Sequence, residues 1–99
     1  MRLLQLQIEA IRAVTAEVGG DEARVLLFGS RTRDELRGGD IDLLIELPQP
    51  PADRLAIVLK VHSRLQRVLG QRKIDVLVAD PTSPPSPVLR AARRDGQLL

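Results

Sequence analysis

The chain of 99 residues contains no cysteine, no tryptophan and no tyrosine, and Phe28 is its single aromatic residue. The lack of cysteine excludes disulfides, thiolate zinc sites and thiol catalysis. The lack of aromatic side chains argues against single-stranded nucleic-acid binding by base stacking, because stacking needs aromatic platforms. The hydrophobic core must therefore be aliphatic.

The sequence also lacks any apolar run long enough to span a membrane, and no basic-then-apolar signal pattern opens it. We therefore expect a cytoplasmic protein without membrane contact. The 15 basic and 13 acidic residues nearly balance, and the basic ones are scattered along the chain. Because nucleic-acid binding needs a basic cluster, direct binding of nucleic acid is not expected. The length suits one domain spanning residues 1–99.

Hydrophobic periodicity and turn residues predict alternating helices and strands. The predicted helices cover residues 3–18, about 30–36, about 52–69 and about 86–94, and the predicted strands cover residues 24–28, 40–47 and 73–79. The last four residues form either a short closing strand or a frayed tail. The order αβαβαβα predicts an α/β (α+β) fold in which helices pack on one small mixed sheet of three to four strands.

Asp40 and Asp42 form the most informative motif of the chain. Side chains two residues apart on a strand point to the same face, so the two carboxylates would lie together. The opposite face of the strand would carry the apolar residues Ile41, Leu43, Ile45 and Leu47. Two acids held a few ångströms apart repel each other unless cations lie between them. Hard divalent cations such as Mg²⁺ prefer carboxylate oxygens and share their remaining sites with phosphates, so the motif indicates a magnesium site.

Gly29 and Ser30 lie between the apolar first strand and a predicted helix. Backbone amides at such a turn, together with a helix N-terminus, can hold an anion. Arg31 and Arg33 are candidate phosphate partners through their charge and fork geometry, although solvated helix positions explain them equally well. A phosphate site beside paired carboxylates indicates phosphoryl or nucleotidyl transfer.

Asp75 is a lone acid in the otherwise apolar third strand. Burying an unpaired carboxylate is costly, so Asp75 needs a cation, a hydrogen-bond donor or solvent. If the third strand lies beside that of Asp40 and Asp42, the three acids form one carboxylate cluster. Taken singly, each aspartate is explained at least as well by a solvent-facing strand position, because single residues are weak motifs.

Taken together, these motifs resemble the signature of the DNA polymerase β-like nucleotidyltransferase superfamily. The matching segments are Leu27 to Arg33, Asp40 to Ile45 and Ile74 to Val76. Because the chain is short, it is most similar to the minimal nucleotidyltransferases of prokaryotes, known as MNT domains and MntA-type antitoxins. The resemblance implies a nucleotidyltransferase fold over nearly the whole chain.

The same resemblance implies a role for each matching residue. Asp40, Asp42 and Asp75 would be catalytic and would bind two Mg²⁺ ions, with Asp75 on the catalytic metal and helping to activate the attacking hydroxyl. Gly29 and Ser30 would hold the β- and γ-phosphates of ATP, the expected substrate.

The implied function is transfer of AMP from ATP to a hydroxyl, with a tyrosine on a partner HEPN-type ribonuclease toxin as the expected acceptor. The chain would then be the antitoxin of a toxin–antitoxin pair, able to assemble with that partner. The alternative is a non-catalytic antitoxin that neutralises the same partner by contact. A small nucleic-acid binder fits less well because the basic charge is scattered. An antibiotic nucleotidyltransferase fits less well because those enzymes need a further substrate-binding domain.

The sequence departs from this family at Asp34, where many relatives have glycine, and Glu35 follows it. Two acids close to a triphosphate would oppose its binding unless their side chains turn outward. The base of the nucleotide, the number of nucleotides transferred and the acceptor are not determined by the motifs.

Overall fold

Three helices and four strands follow one another in the computed structural model of the chain, which describes residues 5–29, 41–70 and 72–99. The helices are α1 (Gln5–Gly19), α2 (Arg54–Leu69) and α3 (Pro87–Asp95), and the strands are β1 (Arg24–Phe28), β2 (Ile41–Glu46), β3 (Ile74–Ala79) and β4 (Gln97–Leu98). The four strands form one mixed sheet, as predicted. The helix predicted at about 30–36 and the first two residues of the helix predicted at 3–18 lie outside the described residues.

The strand order across the sheet is β3-β2-β1-β4. β1 runs antiparallel to both β2 and β4, whereas β3 runs parallel to β2. A parallel pair needs a long crossover connection, and α2 provides it. Because β1 runs opposite to its neighbours, the C-terminal end of β1 lies at the same end of the sheet as the N-terminal ends of β2 and β3.

Helices cover both faces of the sheet. α1 and α2 lie on one face, which we call the helix-pair face, and α3 packs on the other, the α3 face. The core of the helix-pair face is aliphatic and consists of Ile11, Val14, Val25, Leu27, Ile41, Leu43, Ile45, Leu47, Val61, Leu65 and Ile74. On the α3 face, Leu44 and Ala79 pack with Leu89 and Ala92. The prediction that Ile41, Leu43, Ile45 and Leu47 share one face of their strand is confirmed.

Capping residues explain where the predicted helices begin and end. Asp53 has extended backbone dihedrals (φ −144°, ψ 97°), and its side chain accepts a hydrogen bond from the Ala56 N–H, so α2 begins at Arg54 rather than at about 52. Ser86 caps α3 in the same way. The prediction that the long helix ends at Gly70 is confirmed: this residue has φ +83° and follows the last helical residue.

The sequence predicts an apolar stripe on α2 that includes Leu55, and for Leu55 that prediction is wrong. Leu55 is 65% exposed, and the buried residues of α2 are Val61 and Leu65. With about 3.6 residues per turn, Leu55 lies roughly 120° around the helix from Val61, outside the sector that faces the sheet. The predicted stripe also contains Val58, Leu65 and Leu69; Leu65 is completely buried and Leu69 packs against the core, so the prediction is confirmed for these two residues.

The C-terminal residues form a strand rather than a frayed tail. Gln97 pairs with Leu27 and Leu98 pairs with Leu26 of β1, so β4 closes the edge of the sheet beside β1. The opposite edge belongs to β3, whose only neighbour among the described strands is β2.

Within the described ranges, none of the helices is long and apolar enough to cross a bilayer. The longest of them, α2, has 16 residues, whereas a spanning helix needs about 20 predominantly apolar ones.

Candidate active site

Asp42 and Asp75 lie side by side on neighbouring strands. The parallel register pairs Asp42 of β2 directly with Asp75 of β3, so both side chains are on the same face of the sheet. Neighbouring strands are about 4.8 Å apart, which brings the two carboxylates within reach of one cation. Asp42 is half-buried and Asp75 is exposed. Of the three environments expected for the Asp75 carboxylate (a cation, a hydrogen-bond donor or solvent), the structure provides solvent.

The two acids lie on the α3 face, at the end that α3 leaves open. Two residues further along β2, Leu44 is completely buried in the cluster formed with α3. Two residues beyond that, Glu46 accepts a hydrogen bond from Nε of Arg93 on α3, at 2.6 Å. The face is thus apolar and covered at one end and acidic and accessible at the other.

Gly29 follows β1 at the same end of the sheet, next to Asp42. Its φ is +75°, a value that side chains other than glycine rarely adopt. A Cβ atom placed on Gly29 would overlap Oδ2 of Asp42 and would lie 3.1 Å from Cγ of the same residue. Besides its backbone conformation, glycine is therefore required at this position to leave room for the Asp42 carboxylate. The closer approach of a phosphate, which the sequence predicts, remains a prediction.

Four of the predicted site residues lie outside the described residues: Ser30, Arg31, Arg33 and Asp40. The same holds for Asp34 and Glu35. Within residues 5–29, 41–70 and 72–99, no group of three His, Cys, Asp or Glu side chains lies close enough together to hold a metal ion. The described part of the chain therefore supplies two members of the predicted cluster, Asp42 and Asp75.

The donor set of these two residues fits Mg²⁺. Both are carboxylates, the hard oxygen ligands that Mg²⁺ favours, and Mg²⁺ is usually held by one or two carboxylates plus substrate phosphates and water. Asp75 is exposed, so water and substrate can reach the pair. Asp42, Asp75 and the predicted ligand Asp40 are the residues that would hold the metal.

One buried acid, Asp80, is missed by the sequence analysis. It follows β3 at the far end of the sheet from Asp75 and is 2% exposed. Its Oδ1 accepts hydrogen bonds from the Thr82 hydroxyl at 2.5 Å and the Thr82 N–H at 2.7 Å, and its Oδ2 pairs with Arg54 at the start of α2. The signal in the sequence is an aspartate before Pro-Thr-Ser at a strand end, a typical turn composition.

These partners lower the pKa of Asp80. The Thr82 hydroxyl makes the largest contribution; the Thr82 N–H and Arg54 also favour the ionised form, and together they outweigh burial, which raises the pKa. Asp80 therefore joins the beginning of α2 to the end of β3. It is a structural residue and lies outside the candidate site.

Comparison with known proteins identifies the family to which the chain belongs. The profile of the family described as "Nucleotidyltransferase domain" matches residues 8–94. A solved structure of a proposed nucleotidyltransferase from Sulfolobus solfataricus aligns with a TM-score of 0.52 and 24% sequence identity, covering 93% of this chain and 80% of that one. At this identity the likeness concerns the fold, which is the nucleotidyltransferase fold predicted above. A search of curated proteins finds no match. The match over residues 8–94 includes every predicted site residue, and the chain belongs to the nucleotidyltransferase domain family.

Proposed function

We infer that this nucleotidyltransferase uses Mg²⁺ to transfer AMP from ATP to a hydroxyl, and that the acceptor is a tyrosine of a HEPN-type ribonuclease toxin whose antitoxin it is. The family supports nucleotide transfer in general. The observation that carries the proposal is the register of β2 and β3, which places Asp42 beside Asp75 next to the Gly29 turn. The donor, the acceptor and the antitoxin role rest on the sequence resemblance.

The proposed reaction is an in-line displacement at the α-phosphorus of ATP. The acceptor oxygen forms a bond to that phosphorus, the bond to the bridging oxygen of the β-phosphate breaks, and pyrophosphate leaves. The exposed Asp75 carboxylate can take the hydroxyl proton and pass it to solvent. Bound Mg²⁺ would neutralise the charge that develops on the attacking and leaving oxygens.

Asp42 differs from Asp75 in its surroundings. It is half-buried and is packed against Gly29, so its carboxylate has little freedom to move. A ligand held in this way positions a metal with little loss of side-chain entropy on binding. We therefore propose that Asp42 positions the metal and that Asp75 contacts the acceptor.

The test is transfer of label from α-labelled ATP, with Mg²⁺, to the proposed acceptor, a HEPN-type ribonuclease. We expect Asp42→Asn to lower the rate of transfer by about 100-fold or more, because a neutral amide holds Mg²⁺ less well than the carboxylate it replaces. The matched control is Glu46→Gln, which lies on the same strand and the same face but pairs with Arg93 under α3. It should transfer within about twofold of the parent rate, as surface substitutions away from a site usually do.

Three results would contradict parts of the proposal. Equal activity of Asp42→Asn and Glu46→Gln would remove Asp42 from the site. Label on the acceptor in the presence of a chelator would exclude the metal. Neutralisation of the ribonuclease without any label would favour the alternative, an antitoxin that acts by contact alone.

A further inference from the structure

The outer edge of β3 carries backbone groups that have no strand beside them among the described residues. The Ile41 N–H donates to the Lys73 carbonyl at 2.9 Å, and the Leu47 N–H donates to the Ala79 carbonyl at 2.8 Å. In a parallel ladder every second residue of a strand faces a given neighbour. Odd-numbered residues of β3 therefore bond to β2, and Ile74, Val76 and Val78 direct their N–H and C=O groups outward.

This edge has few of the features that keep edge strands from pairing. β3 is six residues long, contains no proline, and has Asp75 as its single charged residue. Natural edges are usually shortened, charged, bulged or covered. An edge of this length and composition fits an added strand.

Asp75 links this edge to the candidate site, because it is exposed, lies on the outermost described strand, and is paired with Asp42 on its inner side. A strand added beside β3 would place one of its side chains next to Asp75, on the α3 face. In an antiparallel pair, the outward residues Ile74 and Val76 would make the hydrogen-bonded pairs, and Asp75 would lie in a non-hydrogen-bonded pair. Non-hydrogen-bonded pairs bring opposing Cα atoms to about 4.5 Å, the closest approach that a sheet offers.

We propose that the acceptor segment docks on β3 as an antiparallel strand and presents its hydroxyl residue beside Asp75; this rests on the proposed nucleotidyl transfer. The neighbours of Asp75 on the same face set the expected acceptor sequence. Leu77 is half-buried and Lys73 is exposed. The acceptor therefore carries an apolar residue two positions before its hydroxyl residue and an acidic residue two positions after it.

A second copy of the chain is the competing occupant of this edge. Pairing of two β3 strands about a twofold axis at Val76 would keep all outward groups bonded, but it would place Leu77 of the second copy opposite Asp75. A leucine there would desolvate the carboxylate and occupy the place of the acceptor. An axis at Asp75 itself would bring two like charges directly opposite each other, which destabilises a strand pair. In these two registers the edge therefore fits a hydroxyl-bearing peptide better than a second copy.

The test uses the full chain and the peptide Lys-Gln-Val-Val-Tyr-Val-Glu-Gln-Lys as acceptor, with α-labelled ATP and Mg²⁺. We expect label on the tyrosine, and none on the same peptide with phenylalanine in its place. N-methylation of the valine after the tyrosine removes a donor that faces β3, and should lower transfer by about tenfold. N-methylation of the adjacent glutamate blocks a donor that faces away, so transfer should change by less than about twofold. Equal effects of the two methyl groups would overturn the proposal.

Amide hydrogen exchange separates docking from catalysis. Adding the peptide should protect the amides of Ile74, Val76 and Val78 whether or not nucleotide is transferred, so protection without label would contradict only the proposed function. Transfer to the peptide without protection of these amides would contradict only the docking. Protection that rises with protein concentration in the absence of peptide, together with a doubled mass in solution, would assign the edge to a second copy and overturn the proposal.

A substitution in the chain provides an independent measurement. Val76→Pro removes an outward N–H at an edge position, where strands tolerate proline. Val76→Ala keeps that N–H but, like the proline variant, changes the side chain that packs against the core. We expect Val76→Pro to raise the KM for the peptide by about tenfold more than Val76→Ala does, with unchanged Mg·ATP binding. If the proline variant does not fold, the N-methyl peptides still decide the question.

Discussion

At residue 29, φ is +75° and the absent Cβ leaves room for the carboxylate of Asp42. These are two separate reasons for glycine, one in the backbone and one in the site. The left-handed backbone costs other residues about 1–2 kcal/mol, whichever atoms surround it. The overlap of a Cβ at position 29 with Asp42 would instead displace the carboxylate of the proposed metal ligand. The two effects can be separated because Gly20 also has a positive φ but has no atom close to the position of an added Cβ.

Gly29→Ala should therefore lower both stability and activity. We expect the free energy of unfolding to fall by about 1–2 kcal/mol from the backbone alone, and the rate of nucleotide transfer to fall by about 100-fold because Asp42 is displaced. Gly20→Ala is the control: its φ is +99°, and a Cβ there meets nothing within 4 Å. It should lose similar stability in urea denaturation and keep its activity. Equal activity losses would mean that strain, rather than the Asp42 contact, explains the glycine.

At the scale of elements, α2 is fixed to the sheet at its first residue. Arg54 begins α2 and pairs with Asp80, which directly follows β3, so the pair closes the crossover from β2 to β3. This crossover sets the parallel register that brings Asp42 and Asp75 together. The ion pair lies at the end of β3 away from Asp75. Its loss is thus expected to affect stability more than chemistry.

The lowered pKa of Asp80 makes this contribution depend on pH. In the unfolded chain an aspartate titrates near 3.9, and in the folded chain Asp80 titrates lower because of Thr82 and Arg54. The unfolded state therefore binds protons first as the pH falls. The stabilisation is complete above the unfolded pKa and is lost as the pH falls through the folded pKa. Asp80→Asn should lose stability at pH 7, and its difference from the parent should narrow below about pH 4.

Urea denaturation from pH 7 down to pH 3 measures this difference, and Asp95→Asn is the comparison. The pKa of Asp95 is also lowered, by a hydrogen bond from Arg94, but this pair is exposed at the end of α3. Exposed pairs contribute little and are screened by salt. A difference for Asp80→Asn that did not change between pH 7 and pH 3 would show that the carboxylate charge is not what stabilises the junction.

For the whole molecule, local patterns predict the elements well but their packing less well. β1 has the predicted bounds, and Gly70 ends α2, because both depend on short-range periodicity and turn chemistry. The register of Asp42 with Asp75 joins residues more than 30 positions apart in sequence. The sequence therefore predicts their proximity only if β3 lies beside β2. The contact of Gly29 with Asp42 was not visible either, because it depends on how β1 and β2 pair. Leu55 belongs to the apolar stripe that the sequence predicts on α2 but is exposed, because the packing of the helix on the sheet decides which of its residues are buried.

The arrangement of the whole domain also predicts how ligands affect its stability. Two adjacent carboxylates repel a triphosphate when no metal is present, and a cation between them removes that repulsion. Mg²⁺ and ATP together should therefore stabilise the fold, whereas ATP alone should not. At 100 times the dissociation constant a ligand adds about 2.7 kcal/mol. For a domain of this size that corresponds to a rise in Tm of roughly 10 °C or more.

Thermal unfolding with ATP, with Mg²⁺ and with both measures this coupling. The parent should respond strongly only to the combination, and Asp42→Asn should respond to none, while Glu46→Gln should match the parent because Glu46 is paired with Arg93 at the covered end of the face. An equal rise with ATP alone would place the triphosphate away from the two acids. It would then leave Asp42 and Asp75 as a solvated acidic pair on a sheet face, whatever activity the chain has.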